Sequence, residues 1–363
     1  MSAPLPAKPR SLLRRYLTAG YGVFIVYASL SPFSGWQDQG FGFAEVLASP
    51  FVQTYTLFDV LSNLLAYLPF GVLMALTLRV HLSVRGTVLW ATLSGLALAL
   101  AMEYLQMYLP SRNSSDADLA SNTLGMFCGA LLAVWMERQA WFARITEWRI
   151  GLFHRGAGVD FGLALVMLWM FAQINPSLPM LGNVFITEPV YGLALALPGE
   201  PFNLWEGVAV ALNLTMAGVL LLTLLRVRRH AAVGVALLLC SVALAKFLAA
   251  ALLLKSWALM LWLNSEAMFG IMVGLAALAA IVWLPRRMLY VVGLLVATGY
   301  LVLVHGVLDA GAQSAAMRLY YWRYGHLRNY VGLSQTVSSL FPLLLGGYLW
   351  WTWSTRHHEE GKK

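Results

Sequence analysis

Asp59-Val-Leu-Ser-Asn63-Leu-Leu-Ala-Tyr-Leu-Pro69-Phe-Gly71-Val-Leu-Met-Ala-Leu-Thr-Leu78 sets a short polar phrase at the mouth of an apolar run that stops at Arg79. About 20 apolar residues cross the roughly 30 Å hydrocarbon core of a bilayer as a helix, so the run reads as a membrane span. The phrase returns at Asp118-Leu-Ala-Ser-Asn122-Thr-Leu, again opening an apolar run. Between the two copies lie Glu103-Tyr-Leu-Gln106 and Ser111-Arg112-Asn-Ser-Ser-Asp116. Acids are costly in lipid and tend to mark function there, so this concentration is the first candidate site.

Similar runs recur at approximately residues 17–33, 57–78, 88–109, 118–136, 159–175, 204–225, 231–254, 264–284, 288–308 and 337–353. The chain is 60% hydrophobic and 11% charged, whereas a soluble domain carries about a quarter charged residues. The expected fold is therefore all-α, a polytopic transmembrane bundle of about ten spans. Composition sets aside soluble enzymes and nucleic-acid binders. Short cytoplasmic loops retain Lys and Arg. With both termini inside, eighteen of the 24 cations fall on the inner face. Five, Arg112, Lys255, Arg318, Arg323 and Arg328, fall outside, and Lys246 lies within a span. The net charge of +8 is thus a topology signal. The basic leader lacks a clear small-residue cleavage site and reads as leading into a retained first span. Cys128 and Cys240 fall within apolar runs, where a free thiol packs as a small hydrophobe.

Charge and glycine punctuation divide the chain into a four-helix unit (1–136), a cytoplasmic connector (137–158) and a C-terminal unit of about six helices (159–363). The connector mixes Trp141, Phe142, Ile145, Trp148 and Ile150 with arginines, which suits a helix lying in the inner interface. Both Asp-x-x-x-Asn phrases open outside-to-inside helices, so helix pairs one–two and three–four are expected to form a parallel repeat.

Asp and Asn four residues apart share a helical face, and an Asp at a helix start accepts from its free amides, so capping alone explains either phrase. Glu103 is harder to explain that way, because it falls two turns inside its span. Topology brings Asp59, Asn63, Glu103, Gln106, Arg112, Asp116, Asp118 and Asn122 to the outer side. Two carboxylates in unlike surroundings suit acid and base work; the same groups also suit a sugar, an amine or a hydrated cation. With no His or Cys nearby, neither a metal nor another cofactor is assigned.

The ordered set Asp59-x-x-x-Asn63, Pro69-x-Gly71, Glu103-x-x-Gln106, Arg112, Asp118-x-x-x-Asn122 and Gly125 resembles the VanZ-like family of bacterial membrane proteins over roughly residues 17–136. The resemblance implies a multi-pass protein of the bacterial inner membrane and a link to teicoplanin resistance. It supplies no catalytic mechanism, and the spans after residue 155 lie outside it. With the polar cluster, it leads to the expectation of an outer-facing cleft that recognises an envelope component, a lipid-linked glycan or peptidoglycan precursor. If a reaction occurs, Glu103 and Asp118 are its acid and base. Arg112 would meet phosphate or carboxylate, Asn63, Gln106 and Asn122 would orient the ligand, and Asp59 and Asp116 would complete the set. A lipid or solute carrier, and a non-catalytic partner of cell-wall or exopolysaccharide machinery, stay open beside it. Nothing in the residues speaks to oligomeric state.

In the second half, Arg318, Trp322 and Arg323 open a basic, aromatic outer loop that suits an anionic headgroup or phosphorylated glycan. Lys246 is expected to pair with Glu266 or Glu206, and the region near 185–198 is expected to hold a re-entrant segment.

Overall fold

The computed structural model describes residues 12–31, 33–40, 42–43, 45, 57–110, 115–186, 202–308, 317–320 and 325–360; the side chains at 58–59, 317, 325–331 and 356–360 are not among them. Eleven α-helices and no strands occur among the described residues. They are α1 (Leu13–Leu30), α2 (Leu57–Leu78), α3 (Val84–Gln106), α4 (Asp116–Glu137), α5 (Ala140–Leu152), α6 (Ala157–Gln173), α7 (Leu204–Leu224), α8 (Ala231–Leu253), α9 (Ser265–Ile281), α10 (Arg286–Gly306) and α11 (Gly325–Glu360). Every apolar run expected to span carries a helix. Six of these, on α2, α3, α4, α7, α8 and α10, are long and apolar enough to cross a membrane, and α6 and α9 are shorter apolar helices. This is a multi-pass membrane protein.

Side-chain caps start four helices. Ser83, Ser115, Asn203 and Asn264 each accept an N–H three residues on, at the heads of α3, α4, α7 and α9. The last helix differs from its expected range. Gly325–Glu360 runs unbroken through the stretch expected to be loop up to Tyr330, and contains Pro342. A proline frees one carbonyl without ending a helix in an apolar bundle, because neighbouring groups satisfy it.

The chain forms two compact units, 1–150 and 151–363. In the first, α1 to α4 run alternately up and down. Gln106 near the end of α3 reaches the Ser29 carbonyl near the end of α1, while Arg14 at the start of α1 reaches the Leu76 carbonyl near the end of α2. The closest seam joins α2 to α4. A Cβ at Gly125 would meet the Leu64 carbonyl, one at Gly129 the Leu68 carbonyl, and one at Gly71 the Met126 backbone. Small residues let membrane helices approach to backbone contact, and this seam is built on them.

At the cation-rich end, Glu137 accepts from Arg79 at 3.0 Å and pairs with Arg14 at 3.5 Å. These groups remain partly wet, so Glu137→Gln is expected to lower stability by only about 0.5–1 kcal/mol. Denaturant titration of the purified protein measures that loss, which shrinks further at high salt.

In the second unit α7 is the central helix, buried along almost its whole length. Beside it lies a buried, non-helical segment, residues 174–186. Its backbone is stitched by Met180 N–H to the Trp262 carbonyl (2.7 Å) and Ile186 N–H to the Ser177 carbonyl (2.9 Å). Asn213 of α7 accepts from Trp169 Nε1 at 2.7 Å and donates to the Leu181 carbonyl at 2.9 Å. Leu181 has φ of +65°, a left-handed backbone that a leucine holds only under constraint. The re-entrant segment expected near 185–198 falls mostly outside the described residues, and the buried loop precedes it.

Candidate functional site

Four helix ends meet opposite the cation-rich end of the first unit, and a chain of hydrogen bonds joins three of them, those of α2, α3 and α4. Asn63 of α2 donates through Nδ2 to Asp118 Oδ1 of α4 at 2.5 Å. The Asp118 N–H donates to Ser115 Oγ at 3.0 Å, the cap of α4. The Ser115 N–H in turn donates to Glu103 Oε2 of α3 at 2.9 Å. Glu103 is 2% exposed, and the Asp118 charge reaches it. Its helix ends at Gln106, earlier than the expected 109, so Glu103 sits in the last turn and meets the next helix head directly.

Two further buried polar groups lie one helical turn along from it. Tyr67, one turn beyond Asn63, is 4% exposed, and its hydroxyl lies in the field of both Glu103 and Asp118. Asn122, one turn beyond Asp118, is 5% exposed. The Tyr67 hydroxyl and Asn122 Oδ1 are buried without a hydrogen-bond partner among the described residues. A buried polar atom without a partner costs about 1–3 kcal/mol, which makes these two atoms the functional signal of the unit. Asn63 and Asp118 are half-buried, so the cluster has a wet side as well as a dry wall.

The cluster thus gathers Asn63, Glu103, Asp118 and Asn122 of the residues expected from sequence. Gln106 is turned to α1 and the Ser29 carbonyl instead. Asp116 is the first residue of α4 and half-buried. The Asp59 side chain, Arg112, Trp322 and Arg323 lie outside the described residues, and Arg318 is exposed in the short turn Met317–Leu319. Sequence reasoning missed Tyr67 and Ser115. Both had a signal, since Tyr67 continues the Asn63 face by one turn and Ser115-x-x-Asp118 is a helix-start pattern.

Lys246 pairs with neither glutamate. It donates to the Gln173 and Asn175 carbonyls, because the broken backbone beyond α6 offers acceptors without helical partners. Glu206 instead ties the far end of the same segment, accepting from the Asn183 and Val184 N–H groups at 2.6 and 3.1 Å. Tyr300 donates to Asn183 Oδ1 at 2.6 Å. No group of three or more His, Cys, Asp or Glu among the described residues could hold a metal ion.

No curated protein and no solved structure is detectably similar to this chain. A family model does match: residues 14–137, the segment from Arg14 to the Glu137 it pairs with, match the VanZ/LLP1 family.

Proposed function

We propose that the cluster at the heads of α2 and α4 is the recognition site for a cell-envelope component, the glycan portion of a lipid-linked precursor. The observation that carries this reading is the pair of buried atoms without a partner among the described residues, Tyr67 Oη in the field of Glu103 and Asp118, and Asn122 Oδ1 one turn beyond Asp118. Carboxylate and amide oxygens only accept, and a phenol does both, so the wall calls for a ligand rich in donors. Sugar hydroxyls and amino groups have that character. A bare phosphate, which only accepts, needs Arg112 as its counterpart.

The carboxylates also fit acid and base roles, Glu103 from the dry wall and Asp118 from the wet side. The cation-rich end with Arg14 and Arg79 suits the cytoplasmic face, which supports an outer-side position for the cluster in a bacterial inner membrane. A lipid-linked ligand reaches such a site laterally from the outer leaflet. Recognition of a peptidoglycan precursor there would connect the protein to glycopeptide resistance.

Mass spectrometry of the lipids and glycans that co-purify from native membranes tests the proposal. Wild type is expected to retain one glycosylated polyprenyl species selectively. Asp118→Ala should lose it, and Tyr67→Phe, which removes one hydroxyl and little volume, should retain about tenfold less. Identical bulk lipid in all three samples would retire the reading.

A further inference from the structure

Lys246 lies mid-way along α8 and is 1% exposed. Its ammonium donates to the Asn175 carbonyl at 2.5 Å and the Gln173 carbonyl at 3.1 Å. No carboxylate pairs with it: the ion pairs among the described residues both belong to Glu137, in the other unit. Carbonyl dipoles solvate an ammonium but do not cancel its charge, and buried charges in membrane proteins are otherwise found paired or facing water. An ammonium also carries three hydrogens, of which these carbonyls take two.

The second observation is on Asn175, the residue that holds Lys246. Asn175 is 0% exposed. Its Oδ1 accepts from the Ser177 N–H at 3.0 Å, the Ser177 hydroxyl at 2.7 Å and the Tyr320 hydroxyl at 3.3 Å. A backbone N–H can only donate, so the amide oxygen is fixed on that side and the orientation of the side chain is not ambiguous. Tyr320 remains a neutral donor, since burial pushes its phenol up to about 12. The amide nitrogen therefore points away from all three donors, and Asn175 Nδ2 is buried with no partner among the described residues.

We propose that Lys246 and Asn175 form an anion site in the C-terminal unit, one that takes a carboxylate or phosphate oxygen. The remaining ammonium hydrogen and the Asn175 amide donate to it, and its charge balances the lysine. The site is the chemical opposite of the acceptor-rich cluster in the first unit. A metal cation would face two donors and a like charge. A sugar hydroxyl would satisfy the amide and leave the lysine uncompensated. The segment supports the assignment, because broken backbone between membrane helices is where ions are bound in transport proteins.

Thermal unfolding of the full chain in detergent, with sodium acetate or sodium phosphate titrated against sodium chloride at equal ionic strength, tests the site. The wild-type midpoint is expected to rise with acetate or phosphate concentration, as for any ligand that binds only the folded state. Lys246→Met should flatten that response; its midpoint in chloride should fall, because the Gln173 and Asn175 carbonyls lose their donor, so the slope against anion concentration is what is compared. If the anion is a lipid headgroup, the rise appears in phosphatidylcholine nanodiscs doped with phosphatidylglycerol and not with the free salts. A wild-type midpoint indifferent to acetate, phosphate and phosphatidylglycerol overturns the proposal, whatever the variant does.

Discussion

Gly129→Leu is expected to destabilise the first unit by about 3 kcal/mol or more, and to disperse the polar cluster with it. The added side chain meets the Leu68 carbonyl, the Val72 nitrogen and the Gly71 Cα, and none of these can rotate aside. Relief comes only by moving α2 away from α4. That movement opens the core around Ala75, Leu76, Ala130 and Ala133 and breaks the Asn63 to Asp118 bond, which spans the same two helices. Denaturant titration followed by tryptophan fluorescence reads the loss, and ligand co-purification should fall in step. Gly86→Ala is a matched control on α3, where the new methyl meets only ordinary contacts with Ser83 and Leu82. Equal midpoints for Gly129→Leu and wild type would mean that α2 and α4 are not in backbone contact.

Asn213→Ala should cost about 2–6 kcal/mol in the second unit. Asn213 is the acceptor for Trp169 Nε1 and the donor to the Leu181 carbonyl, so truncation strands a donor and an acceptor, each at about 1–3 kcal/mol. It also removes the restraint on the left-handed Leu181. Hydrogen exchange of residues 175–186 is the sensitive measurement. The amides there should open well before those of α7, whereas Asn213→Asp, which keeps the acceptor for Trp169, should fall between. Uniform protection in all three proteins would show that the segment does not depend on Asn213.

The helices were legible because apolar length is a strong signal, and the expected ranges fall on the observed helices with end shifts of a few residues. The major exception is α11, where polar and aromatic residues before position 337 masked a continuous helix. Four of the six residues of the candidate site were legible for a related reason. Asn63, Glu103, Asp118 and Asn122 stand out because polar residues are rare in such segments. Tyr67 and Ser115 do not, since a tyrosine in an apolar run or a serine in a polar loop is ordinary until its neighbours are known. The buried loop was the least legible part. Asn175, Ser177, Asn183 and Asn213 look like ordinary loop and helix polar residues, and their partners are supplied by tertiary contacts at separations of up to 145 residues. Lys246 was noticed as a buried charge, but its carbonyl partners belong to a backbone break that no periodicity announces.

That break has a consequence for how the protein is made. Asn175 meets Lys246 across 71 positions and Tyr320 across 145, while Ala172 accepts from Ser334 across 162. When α6 leaves the ribosome, the distant partners of the segment, Glu206, Asn213, Lys246 and the Trp262 carbonyl, have not been synthesised, and lipid cannot substitute for them. The segment must therefore wait in water or in the insertion machinery and be enclosed last. The C-terminal helix closes the second unit, so a chain that terminates before Ser334 would display an unfinished segment to the cell's membrane quality control.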